Sequence, residues 1–377
     1  MTTSADDGGS NLNQVRLEPV AFSSLHGLSG DDLSAGLAAF RRQAHEIITT
    51  GAAFSRLVLL GGRRDDWLPV CRAALGAGDP LQFFTTHFRP YRVHASDRPE
   101  GLFTGYYEPE AAGSRVAGGD YGVPVYGKPD DLVPFTEAEE RQTGLTYGRR
   151  IHGKAQPYFT RQEIESGALA GRGLELCYLK DRVDAFFIQI QGSGRVRLPD
   201  GSSLRLSYAA KSGLPYTGIG GVLVERGVIS RENMSMQTLR AWMAAHPQEA
   251  RELMWLNRSF VFFREIAVED ESLGAVGAAR VNLTPHRSMA VDRAKWMFGT
   301  PFWVETQFPP EARRDDPRLS RLMIGQDTGS AIKGFVRGDF YWGWGEDAAL
   351  IAGHMKSPGR MTALLPHDVA ASLGLPR

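Results

Sequence analysis

The sequence has little cysteine, no excess of either charge and no long hydrophobic run, and each absence excludes a class of protein. Two cysteines, Cys71 and Cys177, are too few for a disulfide-dense scaffold or a four-cysteine zinc site, and we interpret them as two separate small hydrophobic residues. The 43 basic and 43 acidic residues balance, which argues against a nucleic-acid partner because such proteins present a basic surface. No apolar run approaches the roughly 20 residues that span a membrane.

Several catalytic motifs are absent as well. The sequence contains no G-x-x-x-x-G-K-[ST] phosphate loop, no H-E-x-x-H and no G-x-S-x-G, and GIGG (218–221) is too short for a dinucleotide site. Its nine histidines are scattered, with no pair at metal-ligand spacing beside carboxylates, so we expect neither a metal nor a cofactor. The polar start lacks the basic and apolar segments of a signal peptide, which fits either a cytosolic protein or one whose leader was removed.

What is present indicates a two-domain α+β protein. The length of 377 residues suits two domains, and 43 glycines and 21 prolines are typical of a chain rich in turns and strands. Residues 1–20 are expected to be a polar tail. Hydrophobic periodicity predicts helices at 33–48, 65–75, 230–246, 247–257 and from about 346. It predicts strands at 103–107, 183–191, 259–265, 278–283, 302–306, 321–327 and 338–345.

The residues most suited to chemistry are aspartates within apolar, glycine-flanked strands. Asp339 lies beside four aromatic residues in GDFYWGWG (338–345), where poor hydration would raise the pKa of its carboxyl. A carboxylic acid that keeps its proton near neutral pH can act as a general acid. From the residues alone, an aspartate that bonds its own backbone at a turn is the favoured alternative for both Asp339 and Asp327. Asp292, next to Arg293, is most simply a partly exposed ion pair or a turn former. Lys333 either balances a buried carboxylate or is an exposed strand residue.

Two segments have the composition of a glycan-binding surface. FTGYYEP (103–109) combines hydroxyls with aromatic faces, and QIQGSG (189–194) would place two amides on one face of a strand. Amides, hydroxyls and flat aromatic rings suit N-acetyl sugars, whereas core aromatics and an edge-strand turn are the equally weighted alternative. The candidate sugar-contacting residues are Thr104, Gly105, Tyr106, Tyr107, Gln189, Gln191, Gly192, Ser193, Lys333, Tyr341 and Trp342.

Taken in order, seven stretches between about residues 85 and 365 resemble the membrane-bound lytic murein transglycosylase A family. They are FTGYYEP (103–109), VPVYGKPDDL (123–132), QIQGSGRVRLPDG (189–201), SYAAKSGLPYTGIGGVLVERG (207–227), MSMQTLRAWM (234–243), NRSFVFFRE (257–265) and RLMIGQDTGSAIKGFVRGDFYWGWG (321–345). The resemblance implies a six-stranded double-psi β-barrel catalytic domain, formed by 21–107 with 257–377. A second β-rich domain, 108–256, would be inserted into it, with a glycan groove between the two.

The resemblance also implies an activity and roles for the aspartates. The family cleaves the β-1,4 bond between N-acetylmuramic acid and N-acetylglucosamine in peptidoglycan without water and leaves a 1,6-anhydromuramoyl end. Asp339 would be the single acid and base, while Asp327 and Asp292 would orient or tune it. A hydrolytic glycosidase that uses two aspartates and a catalytically silent peptidoglycan-binding module are the alternatives.

The chain departs from the family pattern in two places. Members are typically lipoproteins, yet no cysteine lies near the start of this sequence. Around Asp292 the sequence is AVDRAKWMFGTP (290–301), which is looser than the family's S-D-R-S element followed by an apolar P-G-T. The resemblance nevertheless implies a periplasmic monomer that associates with the outer membrane, acts on glycan strands and joins cell-wall enzyme complexes.

Overall fold

The structure is a computed structural model that describes residues 14–96, 100–267, 270–329 and 331–376. These residues form two compact units of mixed α and β structure. The first unit comprises the residues up to Tyr107 together with those from Ser272 onwards, and the second unit comprises Glu108–Glu271.

The described helices and strands have the following bounds. The helices are α1 (Leu33–Thr49), α2 (Arg64–Gly76), α3 (Pro80–His87), α4 (Glu137–Thr143), α5 (Arg161–Glu163), α6 (Arg182–Gln191), α7 (Ile219–Glu225), α8 (Met236–Ala245), α9 (Pro247–Leu256), α10 (Glu346–His354) and α11 (His367–Ser372). The strands are β1 (Val15–Pro19), β2 (Phe88–Ala95), β3 (Gly101–Glu108), β4 (Glu110–Ser114), β5 (Val123–Tyr126), β6 (Val133–Pro134), β7 (Tyr147–Ile151), β8 (Lys154–Gln156), β9 (Glu175–Leu179), β10 (Ser193–Arg197), β11 (Ser203–Lys211), β12 (Val261–Ile266), β13 (Ser288–Ala290), β14 (Pro301–Gln307), β15 (Arg318–Asp327), β16 (Arg337–Trp344) and β17 (Lys356–Pro366).

One large sheet organises the first unit. Its strand order is β1-β2-β17-β14-β15-β13-β16-β3, and β17 pairs with β3 as well. Helix α1 begins after Asp32, whose side chain accepts a hydrogen bond from the Ala35 N–H at 3.2 Å. The apolar face of α1, including the fully buried Phe40, packs with α2, α3 and β15 around Trp67 and Trp303. This helical layer covers one part of the sheet.

The second unit contains two sheets. The larger has the order β12-β11-β10-β4-β9-β5, and the smaller is β6-β7-β8. Helix α6 lies between two hydrophobic clusters, one against the larger sheet and one against α7, α8 and α9. Strand β12 belongs to this unit because it pairs with β11, so the second unit extends beyond the expected limit at residue 256.

Residues 183–191 were expected to form a strand, and that prediction is wrong because they form helix α6. Asp181 caps the helix start by accepting from the Val183 N–H at 2.6 Å, and Gly192 ends it with a left-handed φ of 78°. Four successive apolar residues, 185–188, are buried because the helix is covered on opposite sides. Burial on both sides erases the helical period and imitates a strand.

Other differences from the sequence analysis are local. Residues 278–283 form a turn, with the Gly277 N–H donating to the Val281 carbonyl, rather than a strand. Strand β1 pairs with β2, so Val15–Pro19 is part of the first sheet and not of a tail; residues 1–13 of the expected tail lie outside the described residues. The helix expected from residue 230 begins at Met236, and α3 was not expected.

The remaining expectations on local structure are confirmed. Helices occur at 33–48, 65–75, 247–257 and from 346, and strands occur at 103–107, 259–265, 302–306, 321–327 and 338–345, within three residues at each end. Cys71 and Cys177 are both free and buried in different hydrophobic clusters, which confirms their interpretation as separate hydrophobic residues. In the described part of the chain, no helix is both long and apolar enough to cross a membrane.

Candidate active site

The register of the first sheet brings two of the three candidate aspartates to the same level. Strand β13 lies between β15 and β16, and Ala290 of β13 is opposite Asp327 on one side and opposite Asp339 on the other. Neighbouring strands are about 4.8 Å apart, so the two Cα atoms are separated by roughly 10 Å. Both aspartates thus lie on paired strands rather than in a loop, although the β13–β15 register shifts between Met289 and Ala290, next to Asp327.

Strand β16 separates a polar row from an apolar row because successive side chains point to opposite faces. Arg337, Asp339 and Tyr341 share one face, and Phe340 and Trp342 share the other. The Trp342 ring is 3% exposed and stacks on Phe340 with ring centroids 5.9 Å apart. Trp342 is therefore a core residue, and the expectation that its ring offers an open face to a sugar is not met.

Asp339 lies at the end of a short hydrogen-bond chain. The Thr104 hydroxyl donates to Asp339 Oδ1 at 2.5 Å, and Arg337 Nη2 donates to Thr104 Oγ1 at 2.8 Å. Arg337 is itself buried, and its Nη1 donates to the Gly338 carbonyl. One oxygen of the Asp339 carboxyl is thus occupied by a hydroxyl whose own orientation is fixed by a buried guanidinium.

Burial raises the pKa of Asp339 above its ordinary value. The hydrogen bond from Thr104 and the charge of Arg337 lower that pKa, and the charge of Asp327 raises it. The net direction is upward because desolvation is the largest of these influences. Asp339 therefore has the property that the sequence analysis expected from its aromatic surroundings.

Asp327 is held by two donors. Its Oδ2 accepts from the Tyr106 hydroxyl at 2.8 Å, and its Oδ1 accepts from the Ala278 N–H at 3.0 Å. Burial raises the pKa of Asp327, while these two hydrogen bonds and that of Thr328 lower it. Tyr106, two residues after Thr104, lies on the same face of β3, so this one strand contacts both aspartates.

Asp292 has a different environment from the other two aspartates. It is 3% exposed, its Oδ1 accepts from the Ala294 N–H and its Oδ2 accepts from the Gly334 N–H, both at 3.0 Å. These bonds connect the turn after β13 with the loop before β16. Of the two simple roles expected for Asp292, a partly exposed ion pair and a turn former, its contacts describe the turn former, and they join it to backbone rather than to Asp339 or Asp327.

The other candidates of the first unit lie close to this strand but differ in role. Gly105 backs onto Trp342: a Cβ there would lie 2.7 Å from the indole Nε1. Tyr341 is 2% exposed and packs against the Tyr106 ring with centroids 5.3 Å apart, and Tyr107 is also buried. Lys333 is exposed in the loop before β16, which contradicts its placement in a strand.

The four remaining candidates belong to the second unit. Gln189 and Gln191 lie in helix α6, where they are about 200° apart around the axis. The expectation that the two amides share one face is therefore wrong. Gln189 Oε1 accepts from Arg161 at 2.9 Å and from the Val261 N–H at 3.3 Å. Gly192 and Ser193 form the passage from α6 to β10.

Sequence reasoning missed Arg337 and the Ala278 N–H. Arg337 could have been found, because it precedes Asp339 by two residues in a strand and must share its face. The Ala278 N–H carries no such signal, since any residue presents a backbone donor and only the fold places this one beside Asp327. Within the described ranges, no cluster of three or more histidine, cysteine or carboxylate residues could hold a metal ion.

Comparisons with known proteins identify both units. Residues 102–264 match the MltA specific insert domain, and residues 287–365 match the 3D domain. The membrane-bound lytic murein transglycosylase A of Vibrio cholerae is 32% identical over 330 residues, which cover 86% of this chain and 80% of that protein.

Solved structures agree with the sequence relatives. The membrane-bound lytic murein transglycosylase of Agrobacterium tumefaciens superposes with a TM-score of 0.81 at 32% identity and covers 95% of this chain and 99% of its own. E. coli MltA with bound chitohexaose superposes with a TM-score of 0.65 at 26% identity, covering 93% and 91%. By its sequence, its two matched domains and its fold, the chain belongs to the membrane-bound lytic murein transglycosylase A family.

Proposed function

We propose that the chain is a lytic transglycosylase of peptidoglycan. It cleaves the β-1,4 bond between N-acetylmuramic acid and N-acetylglucosamine without water and forms a 1,6-anhydromuramoyl end. The observation that carries the proposal is Asp339, a carboxyl whose pKa is raised by burial and whose Oδ1 is already occupied by Thr104. Membership of the family and the chitohexaose bound to its E. coli relative support a glycan substrate.

The contacts of Asp339 define which oxygen acts. The Thr104 hydroxyl has one proton and donates it to Oδ1, because Arg337 donates to its oxygen. The proton of the carboxylic acid therefore lies on Oδ2, which transfers it to the leaving glycosidic oxygen. As that bond breaks, an oxocarbenium-like centre develops at muramic C1. The resulting carboxylate takes the proton of the C6 hydroxyl, whose oxygen attacks C1 and closes the anhydro ring.

A single acid and base suits this arrangement better than the two carboxylates of a hydrolase. A hydrolytic glycosidase needs a second carboxylate that is free to bind a water or attack the sugar. Both oxygens of Asp327 accept hydrogen bonds from the protein, and so do both oxygens of Asp292. We assign Asp327 the electrostatic role of raising the pKa of Asp339, and Asp292 the role of holding the Gly334 loop.

The strand pairings support a more specific description of the catalytic unit. Strands β17, β14, β15, β13, β16 and β3 pair in succession, and β3 pairs again with β17. We propose that these six strands make up the double-psi β-barrel implied by the family resemblance. The same family supports a periplasmic place of action beside the peptidoglycan, with anchoring to the outer membrane and partners among cell-wall enzymes as part of the proposal.

Product analysis tests the proposed reaction. We expect purified murein sacculi digested by the protein to yield muropeptides with anhydro ends, and mass spectrometry measures them. A hydrolase would give products heavier by one water per cut, and a binding module would give none. Either result would overturn the proposal. Mutanolysin digestion of the same sacculi serves as the hydrolytic standard.

Replacement of Thr104 by valine tests the hydrogen-bond chain. The change removes the donor to Asp339 and the hydroxyl oxygen that accepts from Arg337 Nη2. Since hydrogen bonds to charged groups contribute about 1.5–3 kcal/mol, we expect kcat/KM to fall by at least about ten-fold. Loss of the Thr104 bond also raises the pKa of Asp339, so the decline of kcat/KM at high pH should move to higher pH.

Thr104→Ser is the matched control, because it restores the hydroxyl without the methyl group. It should recover most of the activity and the wild-type pH profile. If valine and serine at position 104 give the same profile, the hydroxyl does not act through Asp339. Thermal unfolding of both variants separates this outcome from a loss of folded protein.

A further inference from the structure

The second unit contains a pocket whose charged lining residues are all positive. It has a volume of about 380 Å³ and is lined by residues of α6, β11 and the segments around 144, 213–216 and 257–261. Arg161 and Lys211 are the charged residues among its lining, and no aspartate or glutamate is among the described lining residues. A concave site lined by charges of one sign concentrates ions of the opposite sign.

Arg161 forms a fixed cationic floor of the pocket. Its side chain is 1% exposed, and its guanidinium donates to the Asn257 carbonyl at 3.0 Å and to the Ser259 carbonyl at 2.8 Å. Its Nη2 also donates to Gln189 Oε1 at 2.9 Å, and its Nη1 forms an ion pair with Glu165 Oε1 at 3.4 Å, while Glu165 Oε2 accepts from Trp255. Burial lowers the pKa of Arg161 to about 10, so the group remains charged at neutral pH. Arg161 is therefore held in place by the protein through all three guanidinium nitrogens, and it acts on the pocket through its charge rather than through an exposed donor.

Lys211 and Tyr216 form the rim. Lys211 is exposed at the end of β11, where its ammonium group carries a positive charge at the pocket. Tyr216 is 62% exposed and presents an aromatic face beside the pocket. Gln189 accepts through Oε1 from Arg161, which leaves its Nε2 group, a donor, on the other side of the amide. The pocket thus combines two cations, an amide donor and an exposed ring.

We propose that this pocket binds a carboxylate of the peptidoglycan, either that of the muramic lactyl group or one on the attached peptide. The inference rests on the proposed function for its substrate class, and it deepens that function by adding a recognition site for the acidic part of the polymer. The exposed Lys211 ammonium suits a carboxylate, because hydrogen bonds between charged partners are about twice as strong as those between neutral ones, and the buried Arg161 charge adds to the positive potential of the pocket. Oligomers of N-acetylglucosamine alone carry no such group.

Binding of three small probes to the full chain tests the inference. The probes are chitobiose, the disaccharide GlcNAc–MurNAc with its free lactyl carboxylate, and the same disaccharide bearing a tetrapeptide, and calorimetry measures the affinities. None contains the bond that the protein is proposed to cleave. We expect at least one carboxylate-bearing probe to bind about ten-fold tighter than chitobiose, an advantage that weakens with added salt. Tighter binding of the plain disaccharide identifies the lactyl group as the source, whereas tighter binding of only the third probe identifies the peptide.

Lys211 variants assign the effect to the pocket. We expect Lys211→Met to weaken the preferred carboxylate probe by about three- to ten-fold and Lys211→Glu to weaken it further, with chitobiose affected by neither. The matched control is Lys154→Met, which removes an exposed lysine on β8 of the same unit, outside the pocket.

Three results would overturn the inference. They are equal affinity of the wild type for all three probes, unchanged affinity of both Lys211 variants for the preferred carboxylate probe, and a weakening of chitobiose binding by the Lys211 variants that equals their effect on that probe. Digestion of sacculi is a separate readout. If the wild type digests sacculi but the Lys211 variants bind the probes normally, the carboxylate site is wrong and the proposed function stands. If binding depends on the carboxylate and on Lys211 but sacculi are not digested, the proposed function is wrong and the carboxylate site stands.

Discussion

The Asp339→Asn variant is expected to lose about a thousand-fold in the turnover of murein sacculi, within the range of about 10²–10⁴ that general acid–base catalysis supplies. Asparagine has nearly the same shape as aspartate but has no acidic proton to give to the glycosidic oxygen. It also provides no base for the C6 hydroxyl. Because one residue serves both steps, no second group remains to compensate. Quantification of anhydro muropeptides against time measures the loss.

The variant should fold as the wild type does. Its amide oxygen can still accept from the Thr104 hydroxyl, and the change removes a carboxyl whose burial opposes ionisation. We therefore expect an unfolding temperature equal to or slightly above that of the wild type. Asp347→Asn, at an exposed position in the first turn of α10, is the matched control and should retain full turnover.

A stable Asp339→Asn variant that releases anhydro products at a rate comparable with the wild type would assign the acid to another residue. A variant that releases hydrolysed products instead would indicate that the fold also supports attack by water. Loss of activity in the control as well would point to a general effect of charge removal on the unit.

How far the sequence predicted the site depends on the kind of element that holds each residue. Thr104, Asp327 and Asp339 lie on strands whose alternation or composition is visible in the sequence, and their location on β3, β15 and β16 follows from it. That Ala290 stands opposite both aspartates depends on strand pairing between distant segments. Register of this kind is set by the whole sheet and not by any local window.

The aromatic residues show why composition alone misleads. Tyr341 and Trp342 are adjacent in sequence and equally aromatic, so both were candidates for sugar stacking. Their burial at 2% and 3% exposure makes them packing residues, since one contacts Tyr106 and the other contacts Phe340. A sequence shows which residues could stack on a ring but not which side of a sheet is covered.

Helix α6 shows the same limit for local structure. Four buried residues in a row satisfy neither the strand nor the helix period, and the choice between them depends on two hydrophobic clusters contributed by other elements. The helix ends at Gly192 in a left-handed conformation, which the sequence does contain as a glycine after the last amide. Gly192 is therefore a local signal in the sequence that favours a helix over a strand for residues 183–191.

The Asp327→Asn variant is expected to lose about ten- to a hundred-fold in turnover at neutral pH and to change the pH dependence as well. The negative charge of Asp327 raises the pKa of Asp339, so its removal lowers that pKa. Asp339 must be protonated to act as the acid, and activity is lost as the pH rises through its pKa. The decline of kcat/KM at high pH should therefore begin at a lower pH in this variant, the opposite direction from Thr104→Val.

Tyr106→Phe separates charge from hydrogen bonding at the same carboxyl. It removes the donor to Asp327 Oδ2 but keeps the negative charge, and the Ala278 N–H still holds Oδ1. We expect this variant to be impaired without the shift of the high-pH decline to lower pH. If Asp327→Asn has full activity and an unshifted profile, Asp327 has no part in the reaction. If Tyr106→Phe gives the same shift as Asp327→Asn, the position of the carboxyl rather than its charge sets the pKa of Asp339, and an electrostatic role for Asp327 fails.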